Sequence, residues 1–320
     1  MYFLKRLDSK RHVLFATAFA LTVLMSSAQA QDDPLRVSWT DAGSFQPYFI
    51  AERQGWFEEA GLNVELVEGS NNPSQAIARL QSGEVDITST GSTPTIAAIA
   101  QGLPIKIVFS NQSLPEQPTV GLVVRSDSPY HSIEDLEDRK IGALGMQSTG
   151  SLLVYRAFRE AGMPYDSAEM VHMHTTSMID SLKNENVDAI VPFAIFYDLA
   201  INSGDFRLIS EPYDNMVGVP GIVNISSERV IAERSDEITK LVEVMDRAYQ
   251  YANEHPEEVR SVDREMTRLP DDYLDARPIP PTDVRLDTNK LKQLAADLLE
   301  FGFINKAPTL DEMLWDGMPR

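Results

Sequence analysis

The 320-residue chain contains no cysteine. That absence excludes disulfides, a thiolate nucleophile, cysteine metal sites and a lipid-bearing cysteine. Long hydrophobic runs are also missing, because no segment reaches the ~20 apolar residues that a membrane helix needs. The best run, Val13 to Met25, follows Lys5, Arg6, Lys10 and Arg11 and precedes Ala28-Gln29-Ala30. Together these read as a secretory leader, residues 1–30, cleaved after Ala30 to release a soluble product. Basic residues are scarce, 28 against 48 acidic ones, for a net charge of −20. Loss of four basic residues and one acidic residue with the leader takes that charge to −23. Nucleic acid is therefore not an expected partner. Small anions are not excluded, since screening over ~8 Å lets a local cluster of N–H donors outweigh distant carboxylates.

Catalytic signatures are absent as well: the chain has no Gly-x-Ser-x-Gly elbow, no His-Glu-x-x-His and no phosphate-binding loop of the Walker type. His172 and His174 share one face of a short strand, but no third histidine or carboxylate lies near them in sequence. They read as a solvated strand face, so neither a metal nor a cofactor is expected.

One further absence is informative. In Val85-Asp86-Ile87-Thr88-Ser89-Thr90-Gly91-Ser92-Thr93-Pro94 and in Lys140-Ile141-Gly142-Ala143-Leu144-Gly145-Met146-Gln147-Ser148-Thr149-Gly150-Ser151, an apolar strand runs into a small polar cluster that opens a helix. The unpaired N–H groups of a helix start carry about half a positive charge and ordinarily attract Asp or Glu. Neither first turn contains one, although Ser132-Ile133-Glu134-Asp135 shows that the chain uses such residues elsewhere. Two helix starts kept open imply a ligand held between two lobes.

About 290 residues after the leader are more than one core usually serves, so two units are expected. Strand signals at Leu35–Trp39, Leu62–Val67, Val85–Thr90 and Ile105–Ser110 alternate with helical ones at Pro47–Ala60, Ser74–Gln81 and Pro94–Ala100. Val120–Arg125 reads as a strand leading out of this unit. The rhythm repeats with strands at Ile141–Leu144, Met170–His174 and Val187–Pro192 and helices at Thr149–Ala161 and Ser177–Asn184. Such alternation specifies an α/β fold with parallel sheets. After the strand Ile222–Ile225, two packing stripes keep helical spacing: Ile238, Leu241, Val242, Met245, Ala248, Tyr249 and Ala252, then Leu291, Leu294, Ala295, Leu298 and Leu299. The proline-rich Arg277–Pro281 reads as a rigid connection between them.

The stretch from Trp39 through Thr40-Asp41-Ala42-Gly43-Ser44-Phe45-Gln46-Pro47-Tyr48 to Gly55-Trp56-Phe57 and Ala60-Gly61-Leu62-Asn63-Val64-Glu65-Leu66 resembles the opening of solute-binding proteins of ABC importers. The group in question takes nitrate, aliphatic sulfonates, taurine and thiamine-pyrimidine precursors. Further matches are Leu80-Gln81-Ser82-Gly83-Glu84-Val85-Asp86-Ile87, Ala100-Gln101-Gly102-Leu103-Pro104-Ile105, Ile133-Glu134-Asp135-Leu136 and Asn186-Val187-Asp188-Ala189. The resemblance implies a two-lobed periplasmic binding fold of type II with two crossovers, each lobe a mostly parallel sheet flanked by helices. It places lobe 1 at 31–124 and 222–320 and lobe 2 at 125–221. It further implies a periplasmic monomer that closes on a small-molecule solute and presents it to permease and ATPase subunits. The missing lipid-bearing cysteine agrees with that location, since an exported receptor without an anchor is retained only between two membranes. Some pyrimidine-forming enzymes share the fold but are cytosolic and use a Cys-rich segment, which this chain lacks.

By position the resemblance assigns the cleft to Trp39, Asp41, Ser44, Phe45, Gly91, Ser92, Thr93, Gln147, Ser148, Thr149, Gly150, Ser151 and Phe193. Relatives carry an aromatic, an acidic residue, a proline and another aromatic after the Val-Asp-Ala strand, where this chain has Phe193-Ala194-Ile195-Phe196. No polar role is carried over to that segment. A micromolar complex needs about 8 kcal/mol. A helix start supplies roughly 0.3–1 kcal/mol, or ~2 when partly buried, and a hydrogen bond to a charged group about 1.5–3. Apolar contact from Trp39, Phe45 and Phe193 must supply much of the rest, which favours an organic solute with a polar or anionic head over a bare inorganic anion. Ser92, Thr93, Ser148 and Ser151 also fit as caps of their own helices. Asp41 fits turn chemistry as well as an amine partner, and Tyr197 reads as packing. Sulfonate or taurine-like solutes suit the open helix starts, and a pyrimidine or other flat ring suits Trp39. A sensor subunit of the same fold, handing its liganded shape to a chemoreceptor or kinase, is one alternative, and a periplasmic enzyme acting on a small polar substrate is the alternative of a different class.

Overall fold

The computed structural model describes residues 33–40, 44–70, 72–145, 148–193, 195–209, 216–267 and 269–319, so the leader and the site candidates Asp41 and Gln147 lie outside the described residues. The chain first forms β1 (Leu35–Trp39), α1 (Gln46–Arg53), α2 (Trp56–Glu59), β2 (Val64–Glu68), α3 (Pro73–Ser82), β3 (Ile87–Gly91), α4 (Ser92–Ala100) and β4 (Ile105–Ser113). It continues through β5 (Leu122–Arg125), β6 (Lys140–Ala143), α5 (Thr149–Glu160), β7 (Glu169–His172), α6 (Thr175–Lys183), β8 (Ala189–Ile190), α7 (Ile195–Asn202) and β9 (Phe206–Ile209). It returns as β10 (Pro220–Ser227), followed by α8 (Glu228–Glu254), α9 (Pro256–Met266), α10 (Asp271–Ala276), α11 (Thr288–Glu300) and α12 (Leu310–Met313).

Local signals account for most of these elements. At α3, proline opens the first turn, the Asn72 side chain accepts from the Ser74 and Gln75 amides at 3.0 and 3.3 Å, and Gly83 ends the helix at φ 75°. The single helix expected over Pro47–Ala60 is instead two, because Gly55 sits at φ 71° and a left-handed residue cannot continue a right-handed helix. The stripe on α8 is buried as expected, with Ile238, Leu241, Met245, Ala248 and Tyr249 at most 1% exposed. On α11 the stripe is Leu291, Leu294, Ala295 and Leu298, whereas Leu299 is 42% exposed, one step round the helix from the buried face.

Two five-stranded sheets result, in the orders β2-β1-β3-β10-β4 and β7-β6-β8-β5-β9. Within each, the strands of the β-α-β rhythm run parallel, β1 with β2 and β3, β6 with β7 and β8. One strand in each runs against its neighbours: β10 is antiparallel to β3 and β4, and β5 to β8 and β9. These are the strands on which the chain arrives from the other sheet. The sequence reading ends the first lobe at 124 and resumes it at 222, whereas β5 pairs wholly within the second sheet and β10 joins the first from Pro220. Apolar alternation reveals a strand but not its partner, so the pairing of β5 and β10 is visible only in the structure.

The connections between the sheets bond to each other, Leu114 N–H to Val219 O at 2.9 Å and Gly218 N–H to Leu114 O at 2.8 Å. Beside them lies an ion pair between α5 and α11. Arg156 Nε donates to Asp297 Oδ2 at 2.7 Å, with Arg156 4% and Asp297 0% exposed. Gln293 and Arg159 donate to the other carboxylate oxygen at 3.0 and 3.2 Å, and Arg156 Nη1 lies 2.9 Å from Met216 Sδ. A helix that follows the first sheet in sequence is thereby fastened to the second lobe. At the far edge, Leu314 bridges to Ile107 in parallel and the Trp315 amide donates to Ile107 O at 2.9 Å, covering part of β4. The turn into that segment is set by a reciprocal capping box between Thr309 and Glu312 on α12. Among the described residues no helix is long and apolar enough to cross a membrane.

Removing one partner of a buried pair leaves an uncompensated charge, so Asp297→Ala should cost about 3–5 kcal/mol in urea denaturation. A second expectation concerns acid. Hydrogen bonds from the Thr309 amide, Lys306 and the Thr309 hydroxyl hold the Glu312 carboxyl down to about 2. A folded-state value below the unfolded one contributes stability above the ordinary glutamate range and loses it as pH falls toward that lower value. Glu312→Gln should therefore flatten part of the fall in the urea midpoint between about pH 4.5 and 2.

Candidate functional site

The parallel strands of both sheets end in the segments singled out from the sequence, in accord with the rule that ligands bind beyond the carboxyl ends of strands in open α/β sheets. β1 ends at the half-buried Trp39, which leads to Ser44 and α1. Trp39 lies 5.1 Å from the Phe45 ring at 32° and 5.1 Å from Phe49 edge-on at 81°. Phe45 is only 3% exposed and belongs to the core under α1 and α8. Phe45 supports the Trp39 ring, which is the more exposed of the two.

Ser44 is tied to the end of β4. Its amide donates to Asn111 Oδ1 at 3.2 Å, its carbonyl accepts from Asn111 Nδ2 at 3.1 Å, and its hydroxyl donates to Gln112 Oε1 at 3.0 Å. The Asn111 amide also reaches Tyr249 Oη at 3.1 Å. Further in, Tyr48 Oη donates to Asn224 Oδ1 at 2.6 Å and Ser89 Oγ to the same oxygen at 2.5 Å. Burial pushes the Tyr48 hydroxyl up to about 12 and the Tyr249 hydroxyl well up too, so both stay protonated donors. This network links the loop after β1 to both strands that adjoin the crossovers. Sequence reasoning missed it; the one signal was a lone Asn inside the apolar run Ile222-Val223-Asn224-Ile225.

α4 starts as expected. Gly91 occupies its cap position at φ −63° and ψ 142°, no side chain caps it, and its first turn has no acidic residue. The Ser92 hydroxyl, however, donates to Pro220 O, the first residue of β10, and Thr95 Oγ1 donates to Gly91 O at 2.8 Å. Ser92 is 1% exposed and Thr93 likewise. The proton of Ser92 is thus spent on the returning chain.

α5 departs from expectation. Ser148 caps it, its hydroxyl accepting from the Ser151 amide at 3.2 Å, and Ser151 Oγ donates to Gly145 O at 2.5 Å. Of the two helix starts read as uncapped, only that of α4 lacks a side chain of its own. The reason is the Ser-x-x-Ser spacing, which lets the first serine reach back over the turn. Thr149 and Gly150 remain partly exposed. A Cβ on Gly150 would meet Val191 Cγ1 at 3.0 Å, so this glycine lets the helix start close against the chain leaving β8. Phe193, half-buried, bridges antiparallel to Val120 in the first crossover. Through Ser92 with Pro220 and Phe193 with Val120, one site segment from each lobe abuts a connection between the lobes.

Tyr197 is 7% exposed within the core of the second lobe, a packing residue as read. His172 and His174 are exposed with rings 6.4 Å apart, and among the described residues no group of three His, Cys, Asp or Glu side chains could hold a metal ion.

Two sheets with antiparallel crossover strands define the fold of the periplasmic binding proteins. The crystal structure of the periplasmic aliphatic sulphonate binding protein SsuA from Escherichia coli superposes with a TM-score of 0.75 over 89% of this chain and 98% of that one, at 21% identity. The alkanesulfonate-binding protein SsuA from Xanthomonas axonopodis pv. citri, bound to MOPS, gives 0.73 over 88% and 98% at 17% identity. Residues 42–259 match the family model described as NMT1/THI5 like, and the chain belongs to that family. A Brucella abortus (strain 2308) protein named for a binding role is 25% identical over 263 residues, 78% of this chain and 76% of its own length. The 4-amino-5-hydroxymethyl-2-methylpyrimidine phosphate synthase of Schizosaccharomyces pombe is 32% identical over 108 residues, which are 34% of this chain and 30% of the synthase.

The division of labour between the two rings is testable by urea denaturation. Phe45→Ala should cost about 3–5 kcal/mol of stability, as for a buried aromatic, and Trp39→Ala less than half as much.

Proposed function

We propose that this chain is the exported, periplasmic solute-binding subunit of an ABC importer, a monomer that closes its lobes on a small organic solute and passes it to permease and ATPase subunits. The observation that carries this reading is the start of α4, which has neither a capping side chain nor an acidic residue and lies at the carboxyl end of β3 beside the returning crossover. Such a helix end suits the polar or anionic head of a solute. Trp39, backed by Phe45 and Phe49, offers an apolar face for the solute's body. Thr149 and Gly150 at the start of α5 and Phe193 would contact the solute from the second lobe. Ligand contacts with both lobes at once are what drive closure.

The head-and-body division fits a sulfonate or taurine-like solute, and the sulfonate-binding names of the structural relatives support that class. A pyrimidine or other flat ring is the second reading, favoured by Trp39 and by the partial match to the pyrimidine phosphate synthase. Turnover of the solute is not part of either reading.

Native mass spectrometry of protein purified without denaturation should reveal a retained small molecule of unaltered mass after incubation. In a thermal-shift screen of sulfonates, carboxylates, nitrate and pyrimidines, a true solute at 100 times its Kd adds about 2.7 kcal/mol of stability. Trp39→Ala should weaken its binding about tenfold or more, the equivalent of ~1.4 kcal/mol. His172→Ala should leave binding unchanged. Equal affinity of Trp39→Ala and the parent would remove Trp39 from the site.

A further inference from the structure

A second bridge between the lobes involves neither crossover. α10 lies in the segment that follows the first sheet and is fastened to α9: Arg264 pairs with Asp275, Arg277 pairs with Asp263, and Arg260 Nη2 donates to Arg277 O at 3.1 Å. α9 is in turn fastened to α1, at the edge of the candidate site, by the buried bond from Gln46 Nε2 to Asp263 Oδ1 at 2.6 Å. Gln46 and Asp263 are 5% and 2% exposed. Helix α10 is therefore fastened to the first lobe. From it Tyr273 Oη donates to Asp198 Oδ2 at 2.9 Å, and Asp198 sits on α7 of the second lobe. That helix packs through Tyr197 and Ala200 into the second lobe's own core and moves with it.

The two bridges differ in what a hinge would do to them. Arg156 and Asp297 lie against Met216, at the second connection, and Leu114, Gly218 and Val219 bond the connections together. Contacts at the axis persist through rotation. The Tyr273–Asp198 bond joins two helices outside both connections, α7 beginning two residues after the Phe193 bridge to Val120, and a rotation that carries α10 away from α7 separates it. Partial burial raises the Asp198 carboxyl and the Tyr273 hydroxyl, with Arg277 opposing both shifts.

We propose that Tyr273 and Asp198 form a latch, made only when the lobes are closed, that holds α10 against α7 and retains the solute. This rests on the receptor reading above and adds to it two positioning residues that need not touch the solute. A bond made only in the closed form stabilises closure and slows release, and a ligand for the closed form is bound more tightly in proportion to the closed population.

The absence of cysteine lets two spin labels be placed uniquely, at Glu58→Cys on α2 and Asn202→Cys on α7, both exposed. Pulsed dipolar spectroscopy on the labelled protein as purified should give one dominant distance. Tyr273→Phe, which keeps the ring, and Asp198→Ala should each move at least a third of the population to a longer distance. The double variant should resemble either single one. Distributions identical to the parent in both single variants would overturn the latch. A solute retained in mass spectra alongside unchanged distances would remove the latch and leave the receptor, whereas the predicted redistribution without any bound solute would keep the latch and count against the receptor reading.

Discussion

The fold depends on one constraint of chain direction. A β-α-β unit lays down strands that all point the same way, so every strand of a lobe delivers its carboxyl end, and the loop after it, to one edge. A chain that leaves by that edge and enters a second sheet from its corresponding edge must run its first strand backwards. β5 and β10 are these strands, each antiparallel to both neighbours. Because both sheets are entered from their carboxyl edges, those edges are the ones joined by the crossovers. The segments that follow β1, β3, β6 and β8 lie at those edges for the same reason.

Polar groups around the crossovers turn that topology into a defined joint. Leu114, Gly218 and Val219 tie the two connections together, and the Arg156–Asp297 pair fastens a carboxy-terminal helix to the second lobe beside them. On the other side, Asn111, Tyr249, Tyr48, Asn224 and Ser89 connect the loop after β1 with β3, β4 and β10. Buried hydrogen bonds of this kind are strongly position-specific, because an unmet partner in a low-dielectric interior costs its full desolvation penalty. They hold the aromatic cluster around Trp39 and the start of α4 in fixed relation to the crossovers.

Much of this was legible locally. The break in acidic residues at the start of α4, the strand ending at Trp39, the proline that opens α3 and the glycine that ends it, and the stripe on α8 all act within a few residues of chain. Periodicity and end signals report such short-range choices directly. The same reasoning did not reveal that Phe45 lies in the core, nor which of its two readings Ser148 follows, its hydroxyl turning back to cap its own helix. It also failed at Gly55, where a left-handed turn divides a region whose apolar spacing looks continuous.

By itself, the amino-acid sequence determined the α/β rhythm, the two-unit organisation and the types of residue gathered at the strand ends, since each follows from one-sided burial and from terminal hydrogen bonding. Only the tertiary structure decided which strands pair across the crossovers, that Asp297 meets Arg156 at 141 residues' remove and that Tyr48 meets Asn224 at 176. The physical reason is that a periodic pattern records that a face is covered, not by what. The covering partner is selected by packing and by the pairing of buried polar groups, and those conditions exist only in the assembled chain.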